Sequence, residues 1–278
     1  MALRDEWFGG PNSLGGKLRG LGGLVSGLSM AKSVWPEDYD ASLGADANLR
    51  HLVEIEYQRY LELSEELDSK LLVYLSKILE KYPKRYPETE SVLKRYLEDI
   101  ETTPLSAAGG LIEMMRLWAD SQAQSRKTRA GKSLEHHLEY VLKKEGISNF
   151  ETQKELEYQG GNTKVDFIFP SAEYYSISPY ECKVISCQTS SNDRFRLALE
   201  QVPHSQKYIC TTIGSSNLGS NLQKLSQKKI DSVDSHGGLY VVFEGGKHNS
   251  KEMSEHPAII TYNQLVEILL DRDNLFNE

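Results

Sequence analysis

Lys164–Pro170 reads KVDFIFP, and Pro179–Ile185 reads PYECKVI. Each is a short run of β-branched and aromatic residues bounded by proline, the pattern of a strand inside a sheet. Charged residues in such runs are costly unless they bind something. Asp166 lies between Val165 and Phe167, while Glu181 and Lys183 lead into Val184 and Ile185. Residues two apart on a strand share a face, so Glu181 and Lys183 are expected together. A turn across Ser171–Pro179 would bring Asp166 beside them from the adjacent strand. Two carboxylates and an ammonium suit a hard, oxygen-liganded cation acting on a phosphodiester. Asp166, Glu181 and the backbone carbonyl of Cys182 would bind Mg²⁺. Lys183 would orient or deprotonate the attacking water, or stabilise charge on the phosphorane. The competing reading of Glu181-x-Lys183 is an ion pair on a solvated sheet face, which contributes little.

Outward from these runs, Tyr208–Ile213 and Leu239–Glu244 also read as strands. Asp193–Gln201, Asn217–Lys229 and Tyr262–Asp271 read as helices. The first half of the chain is helical in pattern. Leu52, Ile55, Leu63, Leu67, Leu71, Leu75 and Leu79 recur at helical spacing from Asn48 to about Lys81, ahead of Pro83 and Pro87. Shorter helices are expected at Glu88–Ile100, Leu105–Ser121 and Ser133–Lys144, the last closed by Gly146. The expected fold is α/β, a mixed central β-sheet flanked by helices, with an N-terminal helical subdomain. Residues 1–45, with three Gly-Gly pairs, are expected as an irregular arm, residues 46–125 as the helical subdomain, and residues 126–278 as the catalytic and recognition core.

A net charge of −8 excludes a protein that coats nucleic acid by charge alone, but not one with a local basic cleft. Arg126, Lys127, Arg129 and Lys132 form such a basic patch, with no acid among them. Three cysteines without CxxC spacing suggest neither a disulfide framework nor a structural zinc site. His136 and His137 are adjacent, so on a helix they cannot chelate one ion. No signal-peptide layout and no run long enough to cross a bilayer is present, which implies a cytoplasmic protein.

The pairing of KVDFIFP with PYECKV resembles the PD-(D/E)XK nuclease signature, with Val165 where the name would place proline. RAGKSLEHHLEYVL (Arg129–Leu142) and TSSNDRFRLALEQ (Thr189–Gln201) are similar to the helix and the recognition segment of CCGG-family Type II restriction endonucleases, in the same order. The resemblance implies a restriction-endonuclease-like core and site-specific, Mg²⁺-dependent cleavage of double-stranded DNA at a palindrome containing CCGG or a close relative. The products would carry 5′-phosphates, and a homodimer would form at least during cleavage. Carried over, it makes Glu135 a carboxylate approaching the metal from the helix and Glu200 a second-choice ligand. It makes Asn192, Asp193, Arg194 and Arg196 the base readers. Gln122 and Gln124 would touch the central base pairs, and Arg126, Lys127 and Arg129 would bind phosphates, unless Arg129 packs structurally.

Arginine can pair with guanine O6 and N7, and a carboxylate can accept from cytosine N4, whatever the ancestry. A charged first turn of a helix would look the same. Two other functions use parts of the pattern. A repair or recombination nuclease recognising DNA structure would keep the acids and dispense with the base readers. A non-catalytic DNA-binding protein would need neither.

Overall fold

The computed structural model describes residues 3–8, 11–24, 26–36, 39–99, 104–158, 161–188, 205–215, 227–247 and 255–276. They divide into two compact units, residues 1–30 with 58–129 and residues 31–57 with 130–278, whose boundaries fall inside helices.

In the first unit the glycine-rich N-terminus is not irregular. It forms α1 (Leu3–Trp7), α2 (Leu14–Leu21) and most of α3 (Gly27–Lys32). Ser13 caps α2 through its hydroxyl, which accepts from the Gly16 N–H at 3.1 Å. Trp7, Leu14 and Leu18 are fully buried with Leu67, Leu75, Ile78 and Leu117 from the remaining helices of this unit. The helix expected from Asn48 to Lys81 is two, α4 (Gly44–Ser69) and α5 (Leu71–Lys81), interrupted at Lys70. The helix α6 (Pro87–Asp99) follows. Glu6, itself buried, accepts from the N–H groups of Glu88 and Thr89 in the first turn of α6 at 2.8 and 2.9 Å. These are donors that a helix start otherwise leaves without partners.

Two expected helices and the basic segment between them are instead one continuous helix, α7 (Pro104–Lys144). Residues 121–132 are rich in Ala, Gln, Arg and Lys, all strong helix formers, and hold no proline to stop the helix. Gly146 ends it as expected, with φ +88° and the Ile147 N–H on the Leu142 carbonyl at 2.9 Å.

The second unit is built on a six-stranded sheet in the order β1 (Glu151–Tyr158), β2 (Gly161–Phe169), β3 (Lys183–Gln188), β4 (Gln206–Thr211), β5 (Gly238–Val242), β6 (Ile259–Thr261). The first three strands pair antiparallel and the rest parallel, so the expected mixed sheet is observed. Between β2 and β3 lie α8 (Ala172–Ile177) and a 3₁₀ turn. Helices α9 (Gln227–Ser235), α10 (Glu244–Lys247) and α11 (Tyr262–Phe276) follow in this unit. Leu134, Leu138, Val141 and Leu142 of α7 and Leu265 and Leu269 of α11 bury against Phe167, Phe169, Ile185 and Tyr208 of the sheet. That packing places the second half of α7 over β2 and β3.

A buried polar network fixes α7 within this unit. The Glu56 carboxylate receives the Ser133 hydroxyl at 2.5 Å and lies 2.6 Å from Nε2 of His137, which is fully buried. The Trp35 indole N–H donates to His137 Nδ1 at 3.0 Å, leaving the Nε2–H to donate to Glu56. Glu56→Ala strands the Ser133 and His137 donors, and we expect it to destabilise the protein by about 2–4 kcal/mol in urea unfolding, against a small effect at an exposed glutamate.

Candidate active site

The β2–β3 register pairs Phe167 with Ile185, Ile168 with Val184 and Phe169 with Lys183. Continued by one residue, it sets Asp166 opposite Ser186. The side chain agrees with this placement, because Asp166 Oδ2 accepts the backbone N–H of Cys187 at 2.7 Å. On the other side, β1 pairs Thr152 with Phe167 and Lys154 with Val165, so Gln153 lies opposite Asp166. Gln153 Nε2 donates to Asp166 Oδ1 at 3.0 Å and to Glu135 Oε2 on α7 at 2.6 Å.

Glu135 and Asp166 are close enough for each to act on the other's ionisation. Burial, with the charge of Asp166 next, pushes Glu135 up to about 7, against the opposing charges of Lys132 and Lys164. Burial also pushes Asp166 up, while the Cys187 N–H, Gln153, Glu135 and the charge of Lys164 act the other way. Burial drives the thiol of Cys187 far up, aided by Cys210 and the two acids, so it is a protonated neighbour and not a thiolate ligand.

Two half-buried carboxyls whose burial and proximity disfavour their charged forms fit a divalent cation, which would offset that cost. The donors are hard oxygens, suited to Mg²⁺ and not to a soft metal. Among the described residues no three His, Cys, Asp or Glu side chains converge on one point.

Glu181 and Lys183 are not brought to Asp166, contrary to their expected roles. Pro179 opens a 3₁₀ turn over Pro179–Glu181, so β3 begins only at Lys183 and Glu181 is not on a strand. The exposed Glu181 carboxylate takes the Tyr174 hydroxyl instead. Lys183 is buried, and its Nζ donates to the Ile268 carbonyl of α11 at 3.2 Å and lies 6.0 Å from the centre of the Tyr208 ring. The Cys182 carbonyl, expected on the metal, accepts the Gln206 N–H at 3.1 Å at the start of β4. Elsewhere in β3 the neutral side chains of Ser186 and Gln188 lie 3.4 Å apart. Among the described residues, the charges of Lys132 and Lys164 act on Glu135 and that of Lys164 acts on Asp166.

Of the remaining expected residues, Gln122 and Gln124 lie inside α7, not in a loop, and Gln122 Nε2 meets the Ser64 hydroxyl at 3.4 Å. Arg126 is exposed. Arg129 takes the structural alternative, with its guanidinium 3.1 Å from the Leu24 carbonyl and over the Tyr60 ring at 5.5 Å. The side chain of Lys127 and all of Asn192, Asp193, Arg194, Arg196 and Glu200 lie outside the described residues. Gln153 was not among the expected residues, because ETQKELEY has almost no apolar alternation. The Gly160-Gly161-Asn162 that follows, a hairpin-turn composition ahead of KVDFIF, was the available signal.

The family model described as EcoRII C terminal matches residues 92–265, more than half of the chain and inclusive of every residue of this site. The chain belongs to the EcoRII C-terminal family. Its similarity to the Type II restriction enzyme EcoRII of Escherichia coli is 29% identity over 189 residues, 65% of this chain and 43% of the relative. The chain thus spans less than half the length of that curated protein. Among solved structures, metal-depleted Ecl18kI in complex with uncleaved DNA superimposes with a TM-score of 0.63 at 14% identity, covering 95% of this chain and 86% of that one. The PspGI–substrate DNA complex gives 0.57 at 13%, covering 96% and 94%. These two likenesses are of fold. The expected family and the expected mixed sheet both hold for this EcoRII C-terminal family member.

Because the folded-state value of Glu135 is raised from 4.5 to about 7, its contribution to stability is present below about 4.5 and lost as pH rises through about 7. In EDTA, the melting temperature is therefore expected to fall between pH 5 and pH 8, and Glu135→Gln to flatten that slope. A wild-type profile as flat as the variant's would contradict the raised value of Glu135.

Proposed function

We propose that the chain is a Type II site-specific deoxyribonuclease that hydrolyses both strands of double-stranded DNA with Mg²⁺. The observation that carries the proposal is the carboxyl pair, Glu135 from α7 and Asp166 from β2, joined through Gln153 in a member of the EcoRII C-terminal family. Glu135 and Asp166 would hold the cation, which would supply Lewis-acid activation of the phosphate and of a water. The Cys187 N–H holds the Asp166 carboxylate in place, and Lys164 and Lys132 favour the ionised pair and an incoming phosphate. Lys183 is assigned to the packing of α11 on the sheet.

EcoRII is a named Type II restriction enzyme, and Ecl18kI and PspGI were both solved with DNA, which supports DNA as the substrate. The sequence resemblance supports a palindrome containing CCGG or a close relative, read by Asp193, Arg194 and Arg196 with Asn192 beside them, and products with 5′-phosphates. A palindrome offers two identical half-sites, which favours a symmetric homodimer at cleavage. The site of action would be the cytoplasm. Among the described residues no helix is long and apolar enough to cross a membrane.

Incubation with plasmid and Mg²⁺ is expected to yield discrete fragments whose ends, by run-off sequencing, share one short palindrome. Asp166→Asn should abolish cutting while leaving DNA retardation on gels in Ca²⁺ largely intact, because base contacts and chemistry reside in different residues. Unspecific smearing would favour a structure-recognising nuclease. Retardation without cutting under any divalent cation would favour a non-catalytic binder.

A further inference from the structure

Among the described residues only Lys84 and Gln153 are non-glycine residues with positive φ, and Gln153, at +54°, is the one within a strand. Glutamine has no special tolerance for the left-handed region, and keeping it there costs free energy. A regular extended residue would continue the alternation of β1. The twist coincides with a side chain whose single amide nitrogen serves two carboxyls at once, at 2.6 and 3.0 Å, from a helix and from the neighbouring strand. Gln153 is exposed, so burial does not account for the conformation. Its position opposite Asp166 is set by the β1–β2 register and not by side-chain choice alone.

We propose that Gln153 is a positioning residue for the divalent-cation site. Its amide sets the spacing of Glu135 and Asp166, and its carbonyl oxygen is the neutral oxygen that supplements them. The inference rests on the proposed nuclease reading, in which those two acids hold Mg²⁺. Two carboxylates alone leave most of an octahedral cation's positions to water and substrate. An amide carries a donor and a hard acceptor on one planar group. The donor holds the pair together while it lacks a cation, and the oxygen two bonds away is the complementary end for the loaded site. A glycine at 153 keeps the backbone twist without strain and removes the amide, while a glutamate keeps the length and replaces the donor with a third carboxylate.

The test is Mn²⁺ binding to the full chain without DNA, followed by the electron paramagnetic resonance signal of free Mn²⁺, with circular dichroism as the folding control. Gln153→Gly is expected to weaken binding by about tenfold and Gln153→Glu to tighten it by about tenfold, the scale of groups that orient metal ligands. Binding by both variants within about twofold of wild type overturns the proposal, since a merely structural glutamine would leave affinity unmoved. Should Gln153→Gly fail to fold, Gln153→Glu decides alone, and unchanged or weakened affinity there is the contrary result. Asp166→Asn separates the two levels of the argument. Wild-type binding that Asp166→Asn removes, with both Gln153 variants unaffected, defeats only the role of Gln153. If the wild-type protein binds no Mn²⁺, or if Asp166→Asn leaves its binding unchanged, the cation site itself is defeated and the role of Gln153 with it.

Discussion

One hydrogen bond, from the Cys187 N–H to Asp166, ties an acid on β2 to the backbone of β3 and determines what can surround it. A side-chain period of two means that a one-residue slip between these strands would turn the acid to other neighbours. Phe167, Phe169 and Ile185 resist such a slip because they are buried against α7 and α11. The same packing brings Glu135 over the sheet, since Leu134 and Leu138 on either side of it are fully buried core residues. The acidic pair is thus a consequence of hydrophobic register as much as of acidic residues.

The electrostatics follow from that enforced approach. Neither carboxyl can move away, because one is held by the sheet and the other by a helix anchored through Glu56, His137 and Trp35. Burial then raises both pKa values, with the charge of Asp166 adding to the shift of Glu135, and Lys132 and Lys164 only partly offset this. A small, hard cation bound between the two acids would relieve that cost. The net charge of −8 would be no obstacle to phosphate binding if such an ion neutralised the two acids.

Much of this was legible in the sequence, but for unequal reasons. KVDFIFP is strongly patterned and bounded by turn residues, and its strand and its acid are where they were expected. The helix carrying Glu135 was legible from the spacing of Leu134, Leu138, Val141 and Leu142, and the role proposed for Glu135 came from family resemblance. Glu181 and Lys183 misled, because PYECKV has strand composition while Pro179 converts its first half into a tight turn. Once β3 starts at Lys183, the lysine pairs with Phe169, three positions past Asp166, and its ammonium finds the Ile268 carbonyl. That long-range partner lies 85 residues away in the chain, so no local pattern reveals it. Gln153 escaped notice for the opposite reason. Its strand is polar, and a glutamine is informative only when the fold shows which two groups it touches.

A divalent cation belongs, on this account, between Glu135 and Asp166 on the Gln153 side of the sheet. Anomalous diffraction from crystals grown with Mn²⁺ tests that placement most directly. A single strong peak within ligand distance of both carboxylates is the expected result. A peak at Glu181 and the Cys182 carbonyl, or strong Mn²⁺ sites that avoid Glu135 and Asp166 altogether, would contradict the account.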